Sequence, residues 1–449
     1  MGQDKMLIAT QGLLAPTIRH DQGTFYVICT NSRSNGSVLT TENFYVSTTN
    51  IWSGTWSPPV YYNFCGIDPS LFFDDDGRVY IQGSHRAGLV WDPQCTIRQL
   101  EIDIATGEPL SDICQIWEGA MGKQDVEGPH IYKKDDYYYL LAAEAGTFEN
   151  HAITMARSKD IWGPYTSYPR NLVLTARGTS EVIQNTGHGD LFQSPDGSWW
   201  CVCLGVRKID IRHPLGRETF LAPVDWPRNE WPSIAHPKLK FQTVSSIAPE
   251  RDIGPMQPIN PNYVIENIFI RGQNPSSYVV AEPFIRIKPG VAGLDSRTSS
   301  VSFLGRRQRS INSTASVKLL KDFWTKKEDG LIAGLSLWKD EQRYVAIAIN
   351  QEATSIDVVM STVRKGHVLV EREAIGIRDG VELQIVATAY KYTFAVRPGL
   401  RSDWRTVASI NTNELATYDF TGPVFGIFAQ KAEQQRESSW VTFTDFVIT

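Results

Sequence analysis

The sequence predicts an all-β protein in two parts: a ring of repeated β-hairpin sheets, then a β-sandwich. Three observations carry this. A hairpin unit recurs four times in the first half at nearly constant spacing. Helical periodicity is scarce, and short alternating runs bounded by turn residues dominate. After a proline-rich connector the repeat gives way to a different set of alternating strands.

The first unit opens at Pro16-Thr17-Ile18-Arg19 and turns at Gln22-Gly23 into Thr24-Phe25-Tyr26-Val27-Ile28. The second runs from Pro69-Ser70-Leu71-Phe72-Phe73 through Asp74-Asp75-Asp76-Gly77 into Arg78-Val79-Tyr80-Ile81. The third runs from Pro129-His130-Ile131-Tyr132 through Asp135-Asp136 into Tyr137-Tyr138-Tyr139-Leu140. The fourth runs from Gly189-Asp190-Leu191-Phe192 through Asp196-Gly197 into Ser198-Trp199-Trp200-Cys201. Asp and Gly suit the positive φ of hairpin turns. The turns fall at residues 23, 77, 136 and 197, in steps of 54, 59 and 61. A second element repeats as well, since Ser47-Thr48-Thr49-Asn50-Ile51-Trp52 parallels Ser158-Lys159-Asp160-Ile161-Trp162. Each unit therefore reads as a four-stranded propeller blade. A sandwich of unrelated hairpins is the alternative.

The first strand of each propeller blade lines the central channel, so residues at the starts of those strands converge. Asp68 precedes Pro69, Glu127 lies just ahead of Gly128-Pro129, and His188 and Asp190 flank Gly189. Two carboxyl groups at one mouth suit glycoside hydrolysis, in which one protonates the leaving oxygen. A second carboxylate beside Glu127 makes ionising it costly, so Asp68 tunes and orients Glu127. The plain alternatives are a turn aspartate before Pro69 and a solvated loop glutamate.

Composition narrows the class. The 449 residues carry a formal net charge of -5 and no basic block, so nucleic acid has no electrostatic footprint here. Aromatic residues make up 11%, with 13 Trp, which suits strands and sugar stacking equally. The cysteines, Cys29, Cys65, Cys95, Cys114, Cys201 and Cys203, match no zinc spacing, and Cys201 and Cys203 share one strand face. No apolar run is long enough to span a membrane. Met1-Gly2-Gln3-Asp4-Lys5-Met6 carries no signal-peptide core, which reads as cytoplasmic, or as a sequence whose start is missing.

The motifs Gly66-Ile67-Asp68-Pro69-Ser70, Glu127-Gly128-Pro129-His130-Ile131-Tyr132, Gly187-His188-Gly189-Asp190 and Gly216-Arg217-Glu218-Thr219-Phe220 resemble glycoside hydrolase family 43. The likeness is to its fungal β-xylosidase and α-L-arabinofuranosidase branch. It implies a five-bladed propeller, inverting chemistry and an extracellular enzyme acting on xylo- or arabino-oligosaccharides. It also implies Glu127 as general acid, Asp68 as modulator of that acid's pKa and Arg217 as a ligand of sugar hydroxyls. His188 matches a channel histidine that binds substrate or stands near a central cation, commonly calcium. Calcium prefers oxygen, so contact through water is expected. No cofactor is required, and a structural calcium is the one ion implied. The plain alternatives are a structural histidine at 188 and an ion pair of Arg217 with Glu218.

In one respect the sequence departs from the family. The base aspartate belongs in a blade upstream of Ala15-Pro16-Thr17, and the sole acid in that stretch, Asp4, stands in no such motif. By this reading the first blade is largely missing, the chain has no general base, and its activity is impaired.

The repeat ends near Trp231-Pro232, and prolines crowd Ile253–Pro261. This places a propeller at 1–258 and a second domain at 259–449. Alternation over Ala315–Leu319, Gly330–Leu337, Tyr344–Ile349 and Val381–Ala387 predicts a β-sandwich. Val301–Gln308 and Phe420–Gly426 resemble the family's concanavalin-A-like domain. By that resemblance Phe420 is a candidate wall of the substrate pocket, with a core phenylalanine as the alternative. The expected activity is release of terminal xylose, with arabinofuranose as the near rival. A non-catalytic carbohydrate-binding protein is the rival from another class.

Overall fold

The computed structural model describes residues 11–35, 38–86, 95–122, 125–240, 266–320, 322–325, 330–375, 380–399, 402–416, 420–432 and 440–449. Two compact units emerge. One comprises Thr10–Arg207 with Glu218–Pro255, and the other Met1–Ala9, Lys208–Arg217 and Met256–Thr449. The boundary expected at 258/259 lies outside the described residues.

The first unit is a propeller whose four described sheets follow one another along the chain. The first sheet holds β1 (Gly12–Asp21), β2 (Thr24–Asn35), β3 (Val38–Thr48) and β4 (Val60–Tyr62). The second holds β5 (Gly66–Phe73), β6 (Val79–His85), β7 (Thr96–Ile102) and β8 (Cys114–Trp117). The third holds β9 (Glu127–Lys134), β10 (Tyr137–Glu144), β11 (Ala152–Ser158) and β12 (Thr166–Ser167), with β13 (Leu174–Thr175) also on β11. The fourth holds β14 (Ile183–Gln193), β15 (Trp199–Arg207), β16 (Arg217–Asp225) and β17 (Ser233–Ile234). The turns close as the sequence predicts, with positive φ at Gln22, Gly23, Gly77, Asp135 and Gly197.

Alternation along these strands gives each sheet two apolar faces, and neighbouring sheets bury them against each other. Ile28 and Tyr45 of the first sheet pack with Leu71 and Ile81 of the second. Phe72 and Ile97 of the second pack with Ile131 and Leu140 of the third. Leu141 and Met155 of the third pack with Leu191, Cys201 and Cys203 of the fourth. Each such side chain contributes about 1.5–3 kcal/mol by leaving water. Many of the tryptophans serve here: Trp117 is buried in the second core and Trp226 in the third, where it meets Tyr139 edge-on at 5.0 Å. The opposite faces of the first and fourth sheets lie outside these cores and leave Ile18, Tyr61 and Phe192 exposed. The expectation of a missing first blade concerns chain ahead of residue 11 and lies outside the described residues.

One distortion recurs in all four first strands. In β1 the pairing jumps from Leu14↔Thr30 to Thr17↔Ile28. In β5 it jumps from Ile67↔Ser84 to Ser70↔Gln82. In β9 it jumps from Glu127↔Ala143 to His130↔Leu141. In β14 it jumps from Gly187↔Leu204 to Asp190↔Val202. Each is a β-bulge, two residues opposing one. The first bulged residue is left-handed every time: Ala15 (φ 43), Asp68 (φ 53), Gly128 (φ 56) and His188 (φ 45). Pro16, Pro69 and Pro129 follow three of them, so the repeated proline marks the bulge.

In the second unit, a seven-stranded and a six-stranded antiparallel sheet form the sandwich. Ser313–Leu319 alternates buried and half-buried residues and lies central in the first sheet. Val317, Leu383, Phe394 and Phe443 meet Leu335, Ile347 and Phe425 in the core. The six-stranded sheet is covered on its other face too, where Phe303, Tyr344 and Phe428 pack on Ile270 and Leu294. That explains why Arg343–Asn350 is buried almost throughout. Lys208–Arg217 belongs to this unit because Gly216 bridges to Thr421.

Candidate active site

Three of the bulged strands deliver the candidate residues. Asp68 of β5, Glu127 of β9 and His188 of β14 each place a polar atom within 4.8 Å of the others. His188 Nδ1 lies 4.0 Å from Asp68 Oδ2. Asp68 is buried, and Glu127 and His188 are half-buried. Bulging turns a side chain out of the regular pleat, which is how Asp68 and His188 leave the walls of their strands. In β1 the same position holds Ala15, which brings no chemistry.

The start of β9 is fixed on both sides. Ser84 Oγ donates to the Val126 carbonyl at 2.7 Å, and Ser70 Oγ to the Pro129 carbonyl at 2.5 Å. Glu127 is held between them. Its Oε2 accepts from Arg86 Nη2 at 2.9 Å. Arg86 also approaches Asp125 Oδ1 at 3.4 Å. Burial pushes the Asp125 carboxyl up, and Glu127 adds to this against the pull of Arg86.

Asp190 is engaged elsewhere, in a part-buried network. Arg19 Nη1 and Nη2 donate to its two oxygens at 2.7 and 3.0 Å, and the Tyr132 hydroxyl donates at 2.6 Å. Arg19 Nη2 also lies 2.9 Å from His130 Nδ1. A guanidinium only donates, so Nδ1 accepts and His130 is neutral with its proton on Nε2. Burial agrees, pushing His130 down to about 3. For Asp190, burial alone would raise the carboxyl, but His130 when charged, Arg19 and Tyr132 together bring it down to about 2.

Arg217 and Phe420 both lie in the second unit. The Arg217 guanidinium stands 4.1 Å from the Phe420 ring centroid, a cation–π contact. Its Nε donates to the Phe420 carbonyl at 3.4 Å. Glu218 is taken by Arg207, at 2.9 and 2.8 Å. Phe420 is half-buried.

Arg86, Asp125 and Arg19 were not singled out from the sequence. Arg19 had a signal: four residues past the bulge, the other strands carry Phe72, Tyr132 and Phe192, so a charge there is out of pattern.

Calcium takes six to eight oxygen ligands. The cluster offers two carboxylates and an imidazole, and one carboxylate already carries Arg86. These residues alone do not fit a calcium cage.

The description "Glycosyl hydrolases family 43" matches residues 2–232, and "Beta xylosidase C-terminal Concanavalin A-like domain" matches residues 269–449. A non-reducing-end α-L-arabinofuranosidase of Bacteroides ovatus is 34% identical, over 94% of this chain and 78% of its own. A xylosidase/arabinosidase of Butyrivibrio fibrisolvens is 34% identical over 80% of this chain and 70% of its own. The crystal structure of a xylan β-1,4-xylosidase from Bacillus halodurans superposes with a TM-score of 0.82 and 26% identity, covering 98% of this chain and 88% of that one. With its propeller and its sandwich each matched, the chain belongs to glycosyl hydrolase family 43 and is a glycosidase.

Proposed function

We propose that the chain releases terminal xylose from the non-reducing ends of xylo-oligosaccharides, with inversion at the anomeric carbon. The observation that carries this is the meeting of Asp68, Glu127 and His188 within 4.8 Å. Glu127 gives its proton to the glycosidic oxygen as the bond to the anomeric carbon breaks. Arg86 occupies Oε2, which leaves Oε1 to carry that proton. Asp68 modulates the acid, and His188 binds sugar hydroxyls.

The Asp68–Glu127 pair does not supply the base. Inverting enzymes keep acid and base carboxyls roughly 6.5–9.5 Å apart to admit a water, and these approach more closely. No third carboxylate joins the cluster among the described residues. Water activation therefore rests on a group outside this cluster, and without one turnover drops roughly 10²–10⁴-fold.

Two assays test the reading. Proton NMR of the sugar first released from an aryl β-xyloside should show the α anomer, and the β anomer would overturn inversion. Sodium azide, a nucleophile that needs no base, should raise turnover and yield α-xylosyl azide. A chain inert on aryl glycosides with azide present would contradict the enzyme reading. The 34% identity to an α-L-arabinofuranosidase over 94% of the chain favours a second reading, arabinofuranose release. The ratio of turnover on aryl β-xyloside and aryl α-L-arabinofuranoside decides between them.

A further inference from the structure

We propose that Arg86 is a positioning residue for the acid step: it locks the Glu127 carboxyl so that Oε1 alone faces the leaving oxygen. The proposal rests on the reading of Glu127 as the acid and goes beyond it.

Arg86 directly follows β6, on the strand end that faces the start of β5. Its backbone is pinned at both ends: its N–H donates to the Cys65 carbonyl at 3.2 Å, and its own carbonyl accepts from Cys65 Sγ at 3.1 Å. The Arg86 side chain is only 14% exposed, which makes its charge costly unless it is paired. Two carboxyl groups face it: Asp125 carries the countercharge, and Glu127, protonated when it acts as the acid, still accepts through Oε2. Asp125 and Glu127 are two residues apart on one chain segment, and Arg86 Nη2 reaches both, at 3.4 and 2.9 Å. Nη1 and Nη2 both reach Asp125 Oδ1, at 3.5 and 3.4 Å, which sets the guanidinium so that Nη2 gives Glu127 one directed hydrogen bond. Glu127 needs this anchoring because a glutamate has three rotatable bonds and sits beside Gly128, which offers no side-chain wall. The backbone hydrogen bonds at Val126 and Pro129 fix where β9 begins, while Arg86 fixes where its carboxyl points. A misplacement of about 1 Å in a reacting group can cost roughly 10²-fold in rate.

The chemistry supplies a test that a merely structural role would not pass. Protonation matters for a poor leaving group and hardly at all for a good one. Arg86→Ala, Arg86→Gln and Arg86→Lys should be assayed on phenyl β-xyloside and on 2,4-dinitrophenyl β-xyloside, all with azide present so that the base step does not mask the acid step. Arg86→Ala should lose about tenfold to 10²-fold in kcat on the phenyl substrate. It should lose less than about threefold on the dinitrophenyl one, with KM little changed. Guanidinium ion added at millimolar concentration should restore part of the loss, and Arg86→Lys should retain an intermediate rate. Equal losses on both substrates, or no loss, would overturn the proposal. Should Arg86→Ala fail to fold, Arg86→Gln and Arg86→Lys carry the same comparison. Glu127→Gln is the control. If it discriminates between the substrates and the Arg86 variants do not, only the positioning role fails. If Glu127→Gln does not discriminate either, the acid assignment itself fails.

Discussion

The His188 imidazole lies over the backbone of Gly128, so close that a Cβ on residue 128 would stand 2.6 Å from Nε2. Gly128 also holds φ at +56°, a conformation side chains resist. Two independent constraints thus put glycine directly after Glu127. Gly128→Ala should push His188 aside and cost about 1–3 kcal/mol. Thermal unfolding reads the stability loss, and aryl-xyloside turnover should fall with it. A variant as stable and as active as the parent would show that His188 does not depend on this contact.

Arg19 and Asp190 tie β1 to β14 through two hydrogen bonds, with both side chains half-buried. Removing one partner leaves the other charge without its ion pair, so Arg19→Met should destabilise by roughly 1.5–3 kcal/mol. Arg19→Met with Asp190→Asn should recover part of that, because no charge is left unpaired. Urea unfolding of the single and double variants measures the difference.

The same network sets an acid limit. His130 ionises near 6.5 when unfolded and near about 3 when folded. Between those values the unfolded chain holds a proton that the folded chain lacks, so stability falls as pH falls, by at most roughly 1.4 kcal/mol per pH unit. Asp190, lowered from 3.8 to about 2, works in the same direction further down: its contribution is full above 3.8 and is lost as pH falls through about 2. His130→Gln should flatten the profile between pH 6.5 and 3, as read from urea midpoints at several pH values.

Gly216 meets Thr421 and Gly422 backbone to backbone and holds φ at +65°. Gly216→Ala should therefore separate the Arg217 segment from Phe420 at a cost of about 1–3 kcal/mol. Limited proteolysis within residues 208–217 should become faster. Unchanged cleavage would show that the bridge does not hold this segment.

The propeller was legible because its repeat is local. Each hairpin carries its own turn residues, and the alternating runs are complete within about 12 residues of each turn. Asp68, Glu127 and His188 could be brought together because the repeat aligns them by position. The bulge that turns Asp68 and His188 out of their strands is followed by proline in β1, β5 and β9 but by Gly189 in β14, and could not be recognised from proline alone. Arg19 and Asp190 are 171 residues apart, and nothing in either neighbourhood announces the other. Arg86 stands outside the repeated motif and on a different sheet from Glu127, so only the packing of the second sheet on the third shows that the two meet. The Gly216–Thr421 bridge joins segments far apart in sequence, which is why the Lys208–Arg217 excursion into the second unit was not foreseen.

The most direct test of the account is kcat for Glu127→Gln beside the parent on phenyl and 2,4-dinitrophenyl β-xyloside, with azide present. The expected loss is roughly 10²–10⁴-fold on the phenyl substrate and far smaller on the dinitrophenyl one. Equal rates for variant and parent on both would contradict it.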